Sequence, residues 1–508
     1  MKSLTMALMA VLSLSAAIQA QPDSLHLIWS RVGAADSSRY GYALLPLGDQ
    51  NNDGFDDWAV LSAGAGHDTS QCHLEFFHGG NPPSMLPYLT QQGIFAHWGQ
   101  VGDLGDVNGD GYTDWFIKLY DTTGFFRVNV YLGGPNADTT AALTWRIPWA
   151  DYFGTVGDFN GDGYSDLYWY HYFADALDVF YGGNPPDIMP NWTHRSPVGQ
   201  PQQVIPLSFG DLNGDHCADF VGYSYLTDAA YIFVGGAHPD TVPAYTWPNM
   251  LYPPRGIVKD LNGDGSDELI VTTIGGAEIH FGGPVLHSTP DVTVNFPCSS
   301  GATEVISAGD FNHDRYQDFV QIRSYCDNSP NGILSLYLGH PWIYSEPAFS
   351  IYGDSPPFNL ISVQTAANLG DVNGDSIDDL GIGAWDDLAY VGWRGRALIL
   401  RGDSAWRADA AQPHAAIPQL LQVIVYPNPF NSEANIALQV PPSAREVTLT
   451  LYNVLGQVAF QTTLPAFGEA LTYHFDSQRT ATPLTTGVYF LRAEAGAAQT
   501  TQKLMVLR

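Results

Sequence analysis

The sequence feature that most constrains the fold is a nine-residue acidic loop that recurs along the chain. Its clearest copy is Asp158-Phe159-Asn160-Gly161-Asp162-Gly163-Tyr164-Ser165-Asp166, with oxygen-bearing side chains at the first, third, fifth and ninth positions. A hard cation such as Ca²⁺ collects its oxygen ligands from one short loop of this kind, around a glycine turn. The seven copies begin at Asp49, Asp106, Asp158, Asp211, Asp260, Asp310 and Asp371. The chain is therefore a tandem array whose repeat carries a predicted calcium loop.

Each repeat has the same order of segments. An extended approach leads into the acidic loop, and a strand of aromatic and β-branched residues follows. A variable loop then leads to a second strand that ends in Gly-Gly, as in Val130–Gly134 and Ile232–Gly236. A further strand with a Trp follows several repeats, for example Ala142–Trp145. The pattern predicts four short strands per unit.

Successive loops start 49 to 61 residues apart, which is the length of a four-stranded propeller blade with one long connecting loop. Helical periodicity is absent. A four-stranded sheet of this size cannot bury both faces alone, so the units must stack, and radial closure hides most of their edges. The sequence predicts an all-β protein in which residues 21–403 form a seven-bladed β-propeller with Ca²⁺-binding loops.

The two ends of the array suggest how the ring closes. After the last loop, the strand Ala397–Gly402 runs into Ala- and Pro-containing sequence, which leaves the seventh unit without an outer strand. The segment Leu25–Ser30 near the other end resembles the outer Trp strands and is predicted to complete the seventh blade. The alternative is that Ser404–Trp406 forms that strand.

The first residues resemble a targeting segment. Lys2 precedes the apolar run Leu4–Leu14, and small residues continue to Ala20. This pattern is typical of a secretory signal peptide, residues 1–20, because the apolar part is too short to cross a bilayer. A buried N-terminal strand is the alternative. No other segment approaches a spanning length, so the mature chain is predicted to have no transmembrane segment and to be secreted or displayed on the outer cell surface.

The charge balance excludes one class of partner. The formal net charge is −32, with 52 acidic residues against 20 Lys and Arg. Phosphate backbones require a basic surface. The sequence therefore predicts no nucleic-acid partner, and much of the acidity is accounted for by the loops.

The array resembles a known repeat family. The loops Asp106–Asp114 and Asp158–Asp166, together with Tyr40-Gly41, Trp98-Gly99 and Phe153-Gly154 before loops, resemble FG-GAP (VCBS) repeats, as found in the propellers of integrin α subunits. The resemblance covers about residues 25–403. It implies up to seven structural Ca²⁺ ions, each held in the hairpin between the first two strands of a blade, with the seventh loop position contributing its backbone carbonyl.

Carried over by position, the resemblance implies five ligands per loop. They are Asp49, Asn51, Asp53, Phe55 and Asp57; Asp106, Asn108, Asp110, Tyr112 and Asp114; Asp158, Asn160, Asp162, Tyr164 and Asp166; Asp211, Asn213, Asp215, Cys217 and Asp219; Asp260, Asn262, Asp264, Ser266 and Glu268; Asp310, Asn312, Asp314, Tyr316 and Asp318; and Asp371, Asn373, Asp375, Ile377 and Asp379. Three loops depart from the pattern, since His216, Arg315 and Ser376 replace the turn glycine. The alternative is that the aspartates only make side-chain turns between strands.

The C-terminal segment has a different composition. Residues 404–420 contain Pro413 and Pro418 and are predicted to be a linker. From residue 421 to 508, alternating apolar and polar strands between proline and glycine turns favour a small immunoglobulin-like β-sandwich. The signatures Val425–Asn431, Leu451–Gln457 and Leu484–Arg492 resemble the C-terminal sorting domain of the type IX secretion system. The resemblance implies the secretion machinery as a partner. A generic immunoglobulin-like adhesion module is the alternative.

Motifs for catalysis are missing from the sequence. There is no Gly-x-Ser-x-Gly elbow, no His-Glu-x-x-His and no phosphate-binding loop. Cys298 and Cys326 flank the sixth loop and could form a disulfide or stay free. The tripeptide Arg401–Asp403 spells an integrin-recognition motif, but it falls where other units have Gly-Gly and is interpreted as coincidence.

The predicted function is therefore binding at the protein surface. We expect a calcium-stabilised binding or adhesion protein that recognises a glycan or a protein, with the long segments Ser62–His73, Tyr120–Arg127 and Ser324–Gly332 as candidate contact regions. The alternatives are a secreted polysaccharide-degrading lyase or hydrolase on the same scaffold, and a structural envelope component. An enzyme would need acidic or basic groups gathered in one cleft.

Overall fold

A computed structural model provides the structure of the chain. It describes residues 26–34, 38–64, 72–92, 100–120, 125–137, 139–148, 150–196, 203–297, 303–323, 332–341, 343, 345–352, 365–384, 394–404, 422–426, 428–439, 446–465, 470–477, 484–495 and 498–507. The predicted signal peptide, Trp98-Gly99, Trp406 and the cysteine pair Cys298 and Cys326 lie outside these residues, as do the central parts of the three candidate contact segments.

The described residues before 404 form seven four-stranded antiparallel sheets and no helix. In six of these sheets the four strands follow chain order. The first three sheets are β2 (Tyr40–Gly48), β3 (Asp57–Ser62), β4 (His73–Phe77) and β5 (Leu89–Gln92); β6 (Gln100–Gly105), β7 (Asp114–Tyr120), β8 (Phe125–Tyr131) and β9 (Leu143–Pro148); and β10 (Tyr152–Gly157), β11 (Asp166–His171), β12 (Ala176–Phe180) and β13 (Trp192–Arg195). The next three are β14 (Ile205–Gly210), β15 (Asp219–Ser224), β16 (Ala229–Phe233) and β17 (Tyr245–Trp247); β18 (Pro254–Val258), β19 (Glu268–Thr273), β20 (Gly276–His280) and β21 (Val292–Asn295); and β22 (Thr303–Gly309), β23 (Asp318–Arg323), β24 (Ile333–Tyr337) and β25 (Phe349–Tyr352). The prediction of four short strands per unit is confirmed.

The seventh sheet joins the two ends of the array. Its strands are β26 (Thr365–Asn368), β27 (Leu380–Ala384) and β28 (Arg396–Arg401), and the outer strand is β1 (His26–Val32). β1 pairs antiparallel with β28, so that Trp29 lies opposite Ile399. The prediction that Leu25–Ser30 completes the seventh sheet is confirmed for its described residues, which begin at His26, because β1 forms the antiparallel ladder on the outer edge of β28.

Neighbouring sheets contact each other through their first strands. In sequence order, β2, β6, β10, β14, β18, β22 and β26 each contact the next, and β26 contacts β2. The sheets therefore stack face to face in chain order, with the seventh beside the first. Each interface is a separate apolar cluster. Between the first and seventh sheets, for example, Trp29, Trp58 and Phe77 pack with Leu369 and Ile399.

Aromatic side chains fill these interfaces because a large flat ring covers much apolar area on a pleated surface. Phe220 and Phe233 stack with ring centroids 4.4 Å apart, and Trp192 meets Phe220 edge-on at 5.8 Å. All three belong to the cluster between the third and fourth sheets. The aromatic content of the strands thus serves sheet packing.

The C-terminal part has two antiparallel sheets around one core. One sheet contains β29 (Gln422–Tyr426), β30 (Glu433–Gln439) and β33 (Ala470–Asp476). The other contains β31 (Glu446–Asn453), β32 (Val458–Pro465), β34 (Gly487–Ala495) and β35 (Ala498–Val506). Ile436 and Leu438 from the first sheet share a buried cluster with Leu449, Leu491 and Leu504 from the second. The alternation of apolar and polar residues predicted from the sequence places these side chains on the inner faces.

Candidate metal-binding loops

The seven acidic loops occupy equivalent places in the seven sheets. Each loop connects the first strand of a sheet to its second, as between β10 and β11 in the third sheet. The ninth loop residue is the first residue of the second strand in six of the sheets, and in the seventh, Asp379 directly precedes Leu380. Because each hairpin has the same direction within its sheet, all seven loops lie at the same end of the strands.

The first-position aspartate organises the turn. In the third loop, Asp158 Oδ1 accepts hydrogen bonds from the N–H groups of Gly161 at 2.7 Å and Asp162 at 3.0 Å. Its Oδ2 accepts from Gly163 N–H at 2.8 Å, and Asn160 Oδ1 accepts from Asp162 N–H at 2.9 Å. These are the side-chain turns of the alternative interpretation. A carboxylate oxygen has two lone pairs, so one N–H bond leaves a position for a cation.

The ninth-position acid is buried and accepts hydrogen bonds from two segments of its sheet. Asp166 is 0% exposed, and its Oδ2 accepts from Phe159 N–H at 2.9 Å while Oδ1 accepts from Gly182 N–H at 2.8 Å. The same two-sided bonding is made by Asp57, Asp114, Asp219, Asp318 and Asp379. Burial raises the pKa of Asp114, Asp166, Asp219 and Asp379 to about 7. The ninth-position acid thus joins its own loop, by hydrogen bonds, to the residues that follow the third strand of the same sheet.

The fifth loop differs at its ninth position, where Glu268 has one methylene group more than the aspartate of the other loops. Glu268 is 0% exposed, and its Oε2 accepts from Leu261 N–H at 2.6 Å. Its Oε1 is buried without a hydrogen-bond partner. Burial, with the nearby carboxylates of Asp264 and Asp260, raises the pKa of Glu268 well above its usual range. An unpaired buried carboxylate oxygen is costly, and a bound cation would offset that cost.

The donor set fits calcium by its chemistry. In each loop the side chains at the first, third, fifth and ninth positions offer oxygen, the atom that Ca²⁺ prefers at six to eight positions. Among the described residues, however, no group of three or more acidic, His or Cys side chains is gathered closely enough to hold a metal ion. The side chains bond to the backbone instead. A cation would have to draw them inward, and the unpaired Oε1 of Glu268 is the oxygen most available for it.

Hydrogen bonds connect each loop to its neighbour, which the sequence interpretation missed. In the first, third, fourth, fifth and sixth loops, the eighth residue donates its N–H to the carbonyl of the first residue of the preceding loop, as from Ser165 to Asp106 at 2.8 Å and from Ala218 to Asp158 at 2.7 Å. The second loop is joined to the first by the bond from Gln50 Nε2 to the carbonyl of Thr113 at 3.0 Å. In the first loop, Asp56 donates to the carbonyl of Asp371 at 3.0 Å. The chain of loop contacts thus also links the first and seventh sheets.

Three loops strengthen this contact with a carboxylate at the eighth position. Asp56 Oδ2 accepts from Asp371 N–H at 2.8 Å. Asp267 does the same for Asp211, and Asp378 for Asp310. The signal in the sequence was a second acid directly before the ninth, as in Asp56-Asp57 and Asp378-Asp379. It has no counterpart in the nine-residue ligand pattern, which is why it was overlooked.

The Gly-Gly signature is explained by the same network. In the third sheet, Gly182 N–H bonds to Asp166 of its own loop, and Gly183 N–H bonds to the carbonyl of Val107 in the preceding loop at 2.8 Å. In the seventh sheet, Gly402 and Asp403 make the equivalent bonds to Asp379 and Phe311. The tripeptide ending in Asp403 is therefore part of the array's own hydrogen bonding, in line with its interpretation as coincidence.

The three loops that lack glycine at the sixth position keep the same backbone conformation there. His216, Arg315 and Ser376 have φ values of 68°, 80° and 67°, and Gly163 at the same loop position has 92°. These residues adopt the left-handed conformation that glycine adopts at little cost. The non-glycine loops therefore fold in the same way and accept moderate strain.

Replacing the first glycine of a Gly-Gly pair is expected to destabilise the array. A Cβ on Gly235 would lie 2.3 Å from the carbonyl oxygen of Ala218 and 2.7 Å from that of Phe159. Backbone atoms cannot move aside easily, so we expect Gly235→Ala to cost about 3 kcal/mol in urea unfolding. Gly163→Ala is the control. Its Cβ meets nothing within 4 Å, and we expect a cost of about 1 kcal/mol from φ strain alone. Equal costs for the two variants would contradict the packing argument.

A second polar cluster lies between the second and third sheets, away from the acidic loops. Lys118 Nζ donates to the carbonyl of Asp151 at 2.7 Å and lies 4.7 Å from the ring of Phe126. Burial lowers the pKa of Lys118 to about 8. The Asp151 carboxylate lies 3.3 Å from His171 Nδ1, and His171 Nε2 lies 2.9 Å from Asp178 Oδ2. The sequence analysis found no gathered acid and base groups, because these four residues are brought together from four different strands and loops.

This cluster predicts a pH-dependent contribution to stability. Burial alone would lower the pKa of His171, but the carboxylates of Asp151 and Asp178 raise it above its usual value. A raised histidine pKa stabilises the folded state below about pH 6.5, and that contribution is lost as the pH rises through the folded-state pKa. We expect His171→Gln to cost about 1 kcal/mol at pH 5.5 and much less at pH 8.5, as measured by urea unfolding. Exposed His26→Gln is the control, and a pH-independent cost for His171→Gln would contradict the prediction.

Comparison with known proteins identifies one part of the chain. Residues 424–507 match the family described as secretion system C-terminal sorting domain. A search of curated proteins finds no match. Among the solved structures that match is a crystal structure of BBS1N in complex with ARL6DN, soaked with lead. It is 10% identical to this chain, with 73% of this chain and 96% of that chain covered and a TM-score of 0.45.

The family match confirms the type IX sorting domain predicted from the sequence. A C-terminal domain of this family indicates a secreted or outer cell-surface protein, and it implies interaction with the secretion machinery. In the part of the chain that the structure describes, no helix has the length and apolar character needed to cross a membrane.

Proposed function

We propose that this protein is a calcium-stabilised binding protein of the cell surface, in which a closed seven-bladed propeller carries the binding surface and an immunoglobulin-like domain directs secretion. Its ligand would be a glycan or a protein. The observation that carries the proposal is the repeated loop network, in which each acidic loop contacts the next and the first contacts the seventh through Asp56 and Asp371. Such a closed network suits a rigid scaffold that presents surface loops.

Calcium would have a structural role in this scaffold. The ninth-position acids are buried, and all except Glu268 accept hydrogen bonds on both carboxylate oxygens. The other oxygen ligands that a cation could use belong to the same short loop. A catalytic metal site needs an open coordination position for substrate. A cation in these loops would instead draw the acidic side chains of one loop inward and hold the hairpin, with Glu268 Oε1 as a ready ligand in the fifth loop.

A glycan and protein array probed with the purified protein tests the proposal. We expect binding to at least one ligand class in calcium, and weaker binding after EDTA, because the loops that position the surface loosen. The protein should not shorten any polysaccharide that it binds. A protein that binds nothing in calcium would instead be a structural envelope component.

The competing function is polysaccharide cleavage. The cluster of Lys118, Asp151, His171 and Asp178 favours it, because a lysine with a pKa of about 8 beside a histidine and two carboxylates offers proton-transfer groups. A product assay on every array hit separates the two functions. Loss of polysaccharide chain length by the parent protein, absent in His171→Gln, would replace the binding proposal with the enzymatic one.

A further inference from the structure

Most of the exposed aromatic side chains of the array lie at the end of the sheets opposite the acidic loops. Successive strands are antiparallel, so the connections from second to third strand lie at that end. Among the described residues before 404, the exposed phenylalanine and tyrosine side chains are Tyr88, Phe125, Tyr152, Phe173 and Tyr225. Tyr88 lies between β4 and β5, on the side of the acidic loops. The other four lie at the opposite end, which we call the turn end.

Three neighbouring sheets present large apolar side chains at the turn end. The turns 172–175, 225–228 and 274–275 connect the second and third strands of the third, fourth and fifth sheets. They carry Phe173, Tyr225, Leu226 and Ile274, each more than half exposed. Short turns ordinarily carry Gly, Pro or small polar residues. Large apolar side chains at the same place in three adjacent sheets therefore indicate a binding surface.

The exposed rings of two of these turns are held by a second ring. Tyr225 meets Tyr223 edge-on, with ring centroids 4.9 Å apart. Tyr223 is buried, and its hydroxyl donates to the carbonyl of Met250 at 2.9 Å. Phe173 meets Tyr172 edge-on at 5.5 Å. A ligand that packs on Tyr225 and Phe173 therefore loses little affinity to the ordering of these side chains.

The charges of the turns favour an uncharged ligand. None of the three turns contains Lys or Arg, and between Arg195 and Arg255 the sequence has neither residue. Asp228, in the turn of the fourth sheet, is exposed. An anionic ligand would meet no opposite charge on these turns and would be repelled by Asp228. The surface thus combines apolar ring faces with the hydroxyl groups of Tyr152 and Tyr225.

The C-terminal domain lies at the other end of the array. Asp264 of the fifth acidic loop and Val285, between β20 and β21, line a cleft of about 390 Å³ together with Val425 and Tyr426 of the C-terminal domain. The domain therefore contacts the end that carries the acidic loops. The turns of the third, fourth and fifth sheets stay exposed.

The contact segments predicted from the sequence belong to the same end as these turns. Ser62–His73, Tyr120–Arg127 and Ser324–Gly332 connect the second and third strands of the first, second and sixth sheets. They therefore begin and end at the turn end. The apolar turns of the third, fourth and fifth sheets extend this series to three further sheets, which the sequence analysis did not include.

We propose that the turn end of the third, fourth and fifth sheets binds a neutral glycan chain, with sugar rings stacked on Phe173, Tyr225 and Tyr152. The proposal rests on the binding function proposed above and names its ligand class and its surface. A pyranose ring has a face of C–H groups that packs on an aromatic ring, and a rim of hydroxyls that form hydrogen bonds. A chain of sugars can reach rings that stand on separate turns. A protein partner would instead need one continuous area of about 800 Å² on each side.

Binding of the full-length protein to defined hexasaccharides tests the proposal. The probes are cellohexaose, xylohexaose, mannohexaose and chitohexaose, with hexagalacturonic acid as the charged comparison, each measured by isothermal titration in calcium. We expect the parent protein to bind at least one neutral probe and not the acid. The double variant Phe173→Ala with Tyr225→Ala should lose at least about tenfold in affinity, because two stacking contacts are removed. Tyr225→Phe keeps the ring and should stay within about threefold of the parent.

Met189→Ala is the matched control. Met189 is 72% exposed and Phe173 is 71% exposed, and both belong to the third sheet, but Met189 lies between β12 and β13 at the acidic-loop end. We expect Met189→Ala to bind as the parent does. All these variants should melt at the parent temperature, because the truncated side chains are exposed.

The other outcomes separate the site from the proposed function. Equal affinities of Met189→Ala and the double variant for a neutral probe that the parent binds would overturn the site and leave the binding function in place. Binding of hexagalacturonic acid alone overturns the neutral ligand class. A protein ligand whose binding requires Phe173 and Tyr225, with no neutral probe bound, overturns the glycan. If the parent binds neither glycan nor protein, the proposed function and this inference fail together.

Discussion

Removing calcium with EDTA is expected to lower the melting temperature of the protein by more than about 10 °C. A ligand that binds only the folded state stabilises it by about 2.7 kcal/mol at 100 times its Kd. Each kcal/mol shifts the midpoint by about 2–4 °C in a domain of 150–250 residues. Several occupied loops in one connected network would therefore add to a large shift.

The size of this shift should depend on pH. Burial raises the pKa of Asp114, Asp166, Asp219 and Asp379 to about 7. A carboxyl group whose pKa is raised in the folded state adds to the free energy of unfolding in full below about pH 4, the ordinary pKa of an aspartate. This stabilisation is lost as the pH rises through the folded-state pKa of about 7. Calcium competes with those protons, so its stabilisation should grow over the same interval. We expect the melting difference between calcium and EDTA to be larger at pH 7.5 than at pH 5.5.

Differential scanning calorimetry with matched ionic strength measures both effects, and emission spectrometry counts the bound metal. Magnesium in place of calcium is the control, because Mg²⁺ demands tighter octahedral geometry and loses water reluctantly. Magnesium should restore much less stability. A protein with almost no bound metal and the same melting temperature in EDTA would contradict the calcium proposal.

Replacing Trp29 with alanine is expected to open the junction between the first and seventh sheets. Trp29 is 2% exposed, and its ring meets Trp58 at 5.5 Å and Phe77 at 5.2 Å. Its indole N–H donates to the carbonyl of Ser84 at 2.9 Å, which connects β1 to the first sheet. Loss of a buried Trp side chain costs about 3–5 kcal/mol, and we expect a loss in this range in urea unfolding.

Leu27→Ala on the same strand is the matched control. Leu27 is 43% exposed, and we expect its truncation to cost less than about 0.5 kcal/mol. Limited proteolysis near residues 26–32 should accelerate in Trp29→Ala and not in Leu27→Ala. Similar behaviour of the two variants would mean that β1 does not close the array, despite its pairing with β28.

Local patterns were enough to predict much of this fold. The all-β class, the four strands per unit and the assignment of β1 to the seventh sheet followed from spacing, Gly-Gly signatures and the orphan Trp29 strand. The sorting domain followed from three local signatures in residues 425–492. These features depend on residues close together in sequence, so the sequence displays them directly.

The contacts between units could not be predicted in this way. The bond between Asp56 and Asp371 joins residues 315 positions apart. Lys118, Asp151 and His171 meet only because two neighbouring sheets are packed together. The ligand pattern also predicted the ninth-position acid as a metal ligand and did not predict its bonds to Gly-Gly N–H groups. The calcium ligands themselves stay a prediction.

The sequence by itself determined the repeat, its strands, its acidic turns and the export domain, because each of these is encoded within about nine to sixty neighbouring residues. Only the tertiary structure decided which loop touches which, which carboxylate oxygen stays unpaired, and where the C-terminal domain lies on the array. Those outcomes depend on burial, and burial arises only when distant strands pack and exclude water from the groups between them.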